Sequence, residues 1–326
     1  MHPTPRLTAA ISAVTLAARA TLAVRLGEVA INTHIKGDKS PVTVADFAAQ
    51  AVCVITLQKL LSEPLRMLGE EDASALRENA DLRAAVLAAA QISLGDPTLT
   101  EAQVIAAVEA GQTETGAGGY WTLDPIDGTK GFLRGGQYAV CLAWIEKGEV
   151  ALGVLGCPAM ALEGDPVGVS PVGSYYAAVK GQGAWGWSAG QTLAQARRMT
   201  LPAWTPARGV CVAESVEAEH SAHGEQAQVM AALGVPVSSV RLDSQCKYAV
   251  VASGRADAYL RFPTDPNTPR RECIWDHASG VLLVDEAGGE TSDAKGAKLD
   301  FNCGKRLEKN FGIVACAKGL KAKLVK

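Results

Sequence analysis

Near the middle of the chain, Tyr120-Trp-Thr-Leu-Asp124 reads as a buried strand that runs into Pro125-Ile-Asp127-Gly-Thr129-Lys-Gly131. Proline cannot donate to a sheet ladder, so the strand is expected to stop at Pro125 and the glycine-containing segment after it to form a tight turn. Two carboxylates three positions apart then sit at a strand-to-turn junction, where both acids and one carbonyl can converge. Hard cations such as magnesium are held by carboxylate and carbonyl oxygens, so this junction suits one or two ions if further acids approach from elsewhere. Glu70 and Asp276 are the candidates. Taken alone, the tetrapeptide is open to a plainer reading, because Asp-Pro and Asp-Gly are common turn formers.

The residues that follow shift the balance. Gly128 and Thr129 place backbone N–H groups and a hydroxyl beside the acids, and such amides suit phosphate oxygens. Thr129 is a poor base by itself, yet a nearby carboxylate can accept its proton while the hydroxyl takes one from an attacking water. Asp46 fits that relay. It lies in Ser40-Pro-Val-Thr-Val-Ala-Asp46, where it is placed to cap a helix over 47–61.

The rest of the chain reads as an α/β alternation. Its 326 residues, 48% hydrophobic, suffice for one large domain or two closely packed ones. Leu7, Ile11, Val14, Ala18 and Leu22 recur at helical spacing and predict a core helix. The same segment has Arg6, Arg19 and Arg25 but no acid, as an organellar presequence would. No apolar run reaches the roughly 18 uncharged residues of a spanning helix, so no membrane contact is expected. Strands are expected near 65–72, 138–145 and 150–155, the last two joined by a Lys147-Gly148 turn. Helices are expected over 81–92, 100–110, 224–233, 246–253 and 275–287, with strands over 175–179, 209–213 and 258–260. The segment Cys157–Gly173 is expected to bridge two subdomains, 1–160 and 161–326. A formal charge of −3 offers no field for holding nucleic acid. Eight cysteines without a Cys-x-x-Cys pair favour a reducing, cytoplasmic setting.

Four ordered stretches, Ser40–Asp46, Gly69-Glu-Glu-Asp72, Trp121–Phe132 and Trp275-Asp-His-Ala-Ser-Gly280, resemble the lithium-sensitive, magnesium-dependent phosphatases related to inositol monophosphatase. Within them, the similarity is to the 3'(2'),5'-bisphosphate nucleotidase branch. The resemblance implies a layered αβαβα sandwich of the sugar-phosphatase type, α+β in its N-terminal part. It implies Glu70, Asp124, the Ile126 carbonyl, Asp127 and Asp276 as ligands of two or three magnesium ions, with Asp46 and Thr129 activating water. It also implies Gly128, Thr129 and Asp276 at the substrate, and His223, Ser244, Lys247 and Arg261 as contacts to a nucleotide. That last set makes physical sense, since a second phosphate that is not cleaved requires its own cationic anchor. Two places depart from the family, which usually has alanine where Ser279 stands or close to it and a charged residue where Gly118 or Gly119 precedes Tyr120. Neither touches an implied ligand.

The implied reaction is removal of the 3'-phosphate of 3'-phosphoadenosine 5'-phosphate to give AMP and phosphate, with 3'-phosphoadenylyl sulfate as a second substrate; a monomer acting on a small molecule is expected. Rivals are an inositol polyphosphate 1-phosphatase, an inositol monophosphatase and a non-catalytic nucleotide sensor. Gly181-Gln-Gly-Ala-Trp-Gly186 spells a dinucleotide fingerprint but lacks the acid about 20 residues on, so it is read as a glycine-rich β-turn.

Overall fold

The computed structural model describes residues 2–29, 33–35, 41–113, 118–216, 223–263 and 271–325, with the backbone alone for 33–35, 41–42 and 223–225. Its larger sheet has seven strands in the order Met67–Gly69, Tyr120–Asp127, Ala139–Glu146, Glu149–Cys157, Ser174–Val179, Gly183–Ser188 and Arg197–Met199. The first pair is parallel and the others are antiparallel. A smaller sheet orders Val237–Arg241, Val210–Glu214, Ala258–Arg261, Ile313–Cys316 and Glu290–Ser292.

Side chains on a strand alternate between faces, and a strand buried on both sides is apolar throughout. Ala139–Glu146 shows this directly. Val140, Leu142 and Trp144 enter a core with the helices Pro5–Arg25 and Val44–Leu60. Ala139, Cys141, Ala143 and Ile145 enter the core shared with the smaller sheet. Helices Cys246–Ala252 and Ala278–Glu286 lie between the sheets, and His223–Ala232 with Lys321–Leu324 flanks the smaller one. The layers are therefore α, β, α, β, α, as the resemblance implies.

Pro5–Arg25 is the core helix that the spacing predicts, and its alanines let it approach closely. A Cβ on Gly156 of the sheet would lie 2.9 Å from Val14. By length and composition this helix is apolar enough to cross a membrane, despite the expectation that no segment would be, but 61% of its apolar window is buried inside the protein.

Three further expectations are corrected. Cys157–Gly173 bridges no subdomains: it joins two adjacent antiparallel strands of one sheet, and that sheet continues past residue 160 to Met199. The helix expected from Phe47 begins at Val44, and its N-cap is Thr43. The strand expected to end at Pro125 continues to Asp127 through a bulge. The Lys147-Gly148 turn is as expected, both residues having positive φ of 52° and 77°, which suits the twist of a two-residue hairpin. Of the turn expected over Gly181–Gly186, only Gly181 and Gln182 lie in the hairpin turn and Gly183 already opens the next strand, with φ of 76° at Gly181 and 85° at Gly183.

Candidate active site

The bulge decides where the two central acids point. In a regular strand, residues three apart face opposite sides. Here Asp124 pairs with Cys141 and Asp127 with Ala139, with a register shift between them. Cys141 and Ala139 are two apart and share a face, so the extra residue turns Asp127 to the same side as Asp124. Ile126 sends its side chain the other way, into the helical core.

Glu70 follows the neighbouring strand, where its N–H donates to the Leu123 carbonyl at 3.1 Å, and its carboxyl group meets that of Asp124. Asp276 arrives from the turn before Ala278–Glu286. All four acids line one cavity with the Ile126 segment, Gly128 and Thr129. Burial, then Glu70, Asp127 and Asp276, push the Asp124 carboxyl well above its usual range. Burial also pushes Asp127 up to about 6, although Lys247, the Gln245 amide and Arg261 pull it down. Asp276 is raised too, first by burial and with Arg261 opposing. Asp124 is 2% exposed, and its Oδ1 has no hydrogen-bond partner among the described residues. A buried carboxylate oxygen without a donor, facing three more acids, is a costly arrangement in the protein alone. It is what a hard cation would complete, so the residues present fit magnesium.

Thr129 opens a short helix, Thr129–Leu133. Its hydroxyl lies 3.3 Å from Asp46 Oδ1 and 3.2 Å from the Ile126 carbonyl. Asp46 is held in place from behind. Its Oδ2 accepts from the Thr43 N–H at 2.8 Å and the Thr43 hydroxyl at 2.7 Å, the reciprocal half of a capping box. Gly128, at φ +88°, must be glycine on two counts, since a Cβ there would also lie 2.9 Å from that of Ser244.

Across the cavity stand Ser244, Lys247 and Arg261. Lys247 is 4% exposed and rests 5.2 Å from the centre of the Tyr259 ring. Burial lowers its pKa to about 8. Arg261 pairs with Glu272 at 2.9 Å, while its Nε has no hydrogen-bond partner among the described residues. Burial alone would raise the Glu272 carboxyl, yet Arg261 and His277 hold it down at about 2. His277 Nδ1 meets the Tyr248 hydroxyl at 2.8 Å and its Nε2 meets Glu272 at 3.4 Å. The structure thus brings together every expected site residue except His223, whose side chain lies outside the described residues.

Glu272, Tyr248 and Tyr259 were not singled out from the sequence, and neither was Asp243, which lines the cavity and bonds Arg134 at 2.7 Å. Asp243 stands directly before Ser244, a proximity that was available as a signal. A second hollow of about 680 Å³, lined by Val212, Gln226, Met230 and Ser239, shares Ser215 with the first.

The sequence profile of the inositol monophosphatase family matches residues 3–326. The chain is 41% identical over 314 residues to 3'(2'),5'-bisphosphate nucleotidase 1 of Candida albicans, covering 90% of this chain and 85% of that protein. It is 37% identical to 3',5'-bisphosphate nucleotidase 2 of Arabidopsis thaliana, covering 98% and 94%. Among solved structures, the Thermotoga maritima IMPase superposes with a TM-score of 0.66 at 21% identity over 98% of this chain and 95% of that one. CysQ from Bacteroides thetaiotaomicron superposes with a TM-score of 0.63 at 23% identity over 96% and 97%. With profile, relatives and fold in agreement over nearly its whole length, the chain belongs to the inositol monophosphatase family.

Proposed function

We propose that this chain is a magnesium-dependent phosphomonoesterase that removes the 3'-phosphate of 3'-phosphoadenosine 5'-phosphate, and of its sulfated analogue, releasing phosphate. The observation that carries this reading is the unpartnered Oδ1 of Asp124 among four converging acids, beside the Thr129–Asp46 contact. The family is metal-dependent, and here Glu70, Asp124, the Ile126 carbonyl, Asp127 and Asp276 would hold two or three magnesium ions. When bound, magnesium acidifies water and screens the charge that gathers on the phosphoryl and leaving oxygens.

The chain's own residues supply the rest. Thr129 takes a proton from the attacking water while passing its own to Asp46, whose other oxygen stays fixed by Thr43. The water oxygen bonds to phosphorus, the bond from phosphorus to the 3'-oxygen breaks, and that oxygen leaves with a proton from solvent. Gly128 and Thr129 amides orient the phosphoryl oxygens. Lys247, Arg261 and Ser244 hold the phosphate that is not cleaved, with His223 beside them, and the hollow that shares Ser215 leaves room for the nucleoside. Lithium and sodium are expected to inhibit by occupying a divalent position with too little charge. The scattered spacing of the eight cysteines, without a Cys-x-x-Cys pair, is the feature that favours a reducing, cytoplasmic setting.

The test is parallel measurement of phosphate release from the adenosine bisphosphate, its sulfated analogue and inositol phosphates, with magnesium and then with added lithium. The bisphosphate should be preferred. Preference for an inositol phosphate would overturn the substrate, and no turnover of any of them would favour a sensor.

A further inference from the structure

We infer that Gln245 is a positioning residue that locks the Asp127 and Asp276 segments into one geometry. Gln245 is 1% exposed, and it joins parts of the chain far apart in sequence. Its backbone N–H donates to Asp127 Oδ2. Its side-chain Nε2 donates to the Trp275 carbonyl at 2.8 Å. Its Oε1 accepts from the Ser279 hydroxyl at 2.9 Å and from the Gly280 N–H at 3.1 Å. A carboxamide oxygen has two lone pairs, so its accepting capacity is full. The three side-chain bonds fall on either side of Asp276, one residue before it and three and four after.

The turn that presents Gln245 is itself wedged. Ser244 adopts a φ of +66°, uncommon for a residue with a side chain, and it sits against Gly128 closely enough that no Cβ would fit there. Asp243 is clamped by Arg134. One short turn therefore touches the Asp127 segment, the Asp276 segment and the start of the helix that carries Lys247. Magnesium demands near-ideal octahedral geometry, and groups that orient ligating carboxylates typically matter about 10- to 100-fold in metal affinity. Ser279 gives a graded probe, because its hydroxyl fills one of the two lone pairs.

The inference rests on the reading that these carboxylates hold divalent cations, and the experiment separates the two. Mn²⁺ binding to the full chain is measured by calorimetry, at a temperature where each protein is folded, for the wild type, Asp124→Asn, Gln245→Met and Ser279→Ala. Gln245→Met should weaken Mn²⁺ binding about tenfold, and Ser279→Ala about threefold, as loss of one hydrogen bond would. A folded Gln245→Met that binds Mn²⁺ as the wild type does would overturn the inference. If Gln245→Met does not fold, Ser279→Ala decides, and unchanged affinity there would overturn it. Absence of Asp124-dependent Mn²⁺ binding in the wild type would instead remove the metal reading, and the inference with it.

Discussion

On one side of the cavity, Glu70, Asp124, Asp127 and Asp276 crowd together, and burial with mutual repulsion raises the carboxyl groups of the last three. On the other, Arg261 stands beside a carboxylate held at about 2, and the Lys247 ammonium sits over an aromatic ring. Both sides take charge out of water, which is expensive unless a partner is supplied. For Arg261 the protein supplies the partner, Glu272. For Asp124 it leaves an oxygen bare. The contrast teaches that the acidic side leaves Asp124 Oδ1 without a hydrogen-bond partner among the described residues, whereas Arg261 on the basic side has Glu272 and, under the proposed reading, keeps its buried Nε for an anion.

That comparison is broken most severely at its acidic centre. Asp124→Asn should lower phosphate release by at least about a thousandfold, because it weakens a cation site expected to supply several kcal/mol of charge stabilisation; a steady-state assay with saturating magnesium checks this. Thr129→Val keeps the shape and removes the hydroxyl that contacts Asp46 and is proposed to pass it a proton from water. A loss of about 100-fold or more in kcat, with magnesium affinity unchanged, is expected for a group in the proton path. On the basic side, Lys247→Ala should act on one class of substrate. Loss of a charge-assisted bond of about 1.5–3 kcal/mol predicts a roughly 10- to 100-fold fall in kcat/KM for the bisphosphate, with little change for a small phosphate monoester lacking the second phosphate. Equal losses on both substrates would mean that Lys247 does not anchor the uncleaved phosphate.

The smallest effect is expected far from the cavity, at Glu149, which pairs with Lys180 and Lys298 on the surface. Glu149→Gln should change stability by less than about 1 kcal/mol, as exposed pairs usually do, and should leave turnover untouched. Chemical denaturation and the same phosphate assay read both.

Much of the site was legible because its residues lie in short stretches whose chemistry is local. Asp124, Asp127, Gly128 and Thr129 are contiguous, and their types alone suggest cations and phosphate. What the sequence could not display was how acids three apart come to share a face. Pro125 argued for the end of a strand, yet the sheet absorbs it in a bulge, and the bulge is what aligns the two carboxylates. Asp46 was expected to cap a helix and instead completes the cap made by Thr43, a difference of three residues that fixes one carboxylate oxygen and leaves the other for Thr129. Gln245 and Glu272 carried no local signal, since their meaning lies in bonds to residues about 30 and 11 positions away, Trp275 and Arg261. The helix Pro5–Arg25 shows the limit from another side. Its apolar, alanine-rich text is compatible with a membrane or a core, and only its burial against Val44–Leu60 and the larger sheet separates the two.

Thermal unfolding of the wild type and Asp124→Asn across a magnesium titration reaches the centre of the account without relying on any substrate. If cations complete the acidic side, the wild-type midpoint should climb with magnesium, the folded state gaining about 2.7 kcal/mol at 100 times the dissociation constant. The Asp124→Asn midpoint should stay nearly flat and, without magnesium, should be no lower than that of the wild type. A wild-type midpoint indifferent to magnesium, or one matched by the variant at every concentration, would contradict the claim that these four acids form a cation site.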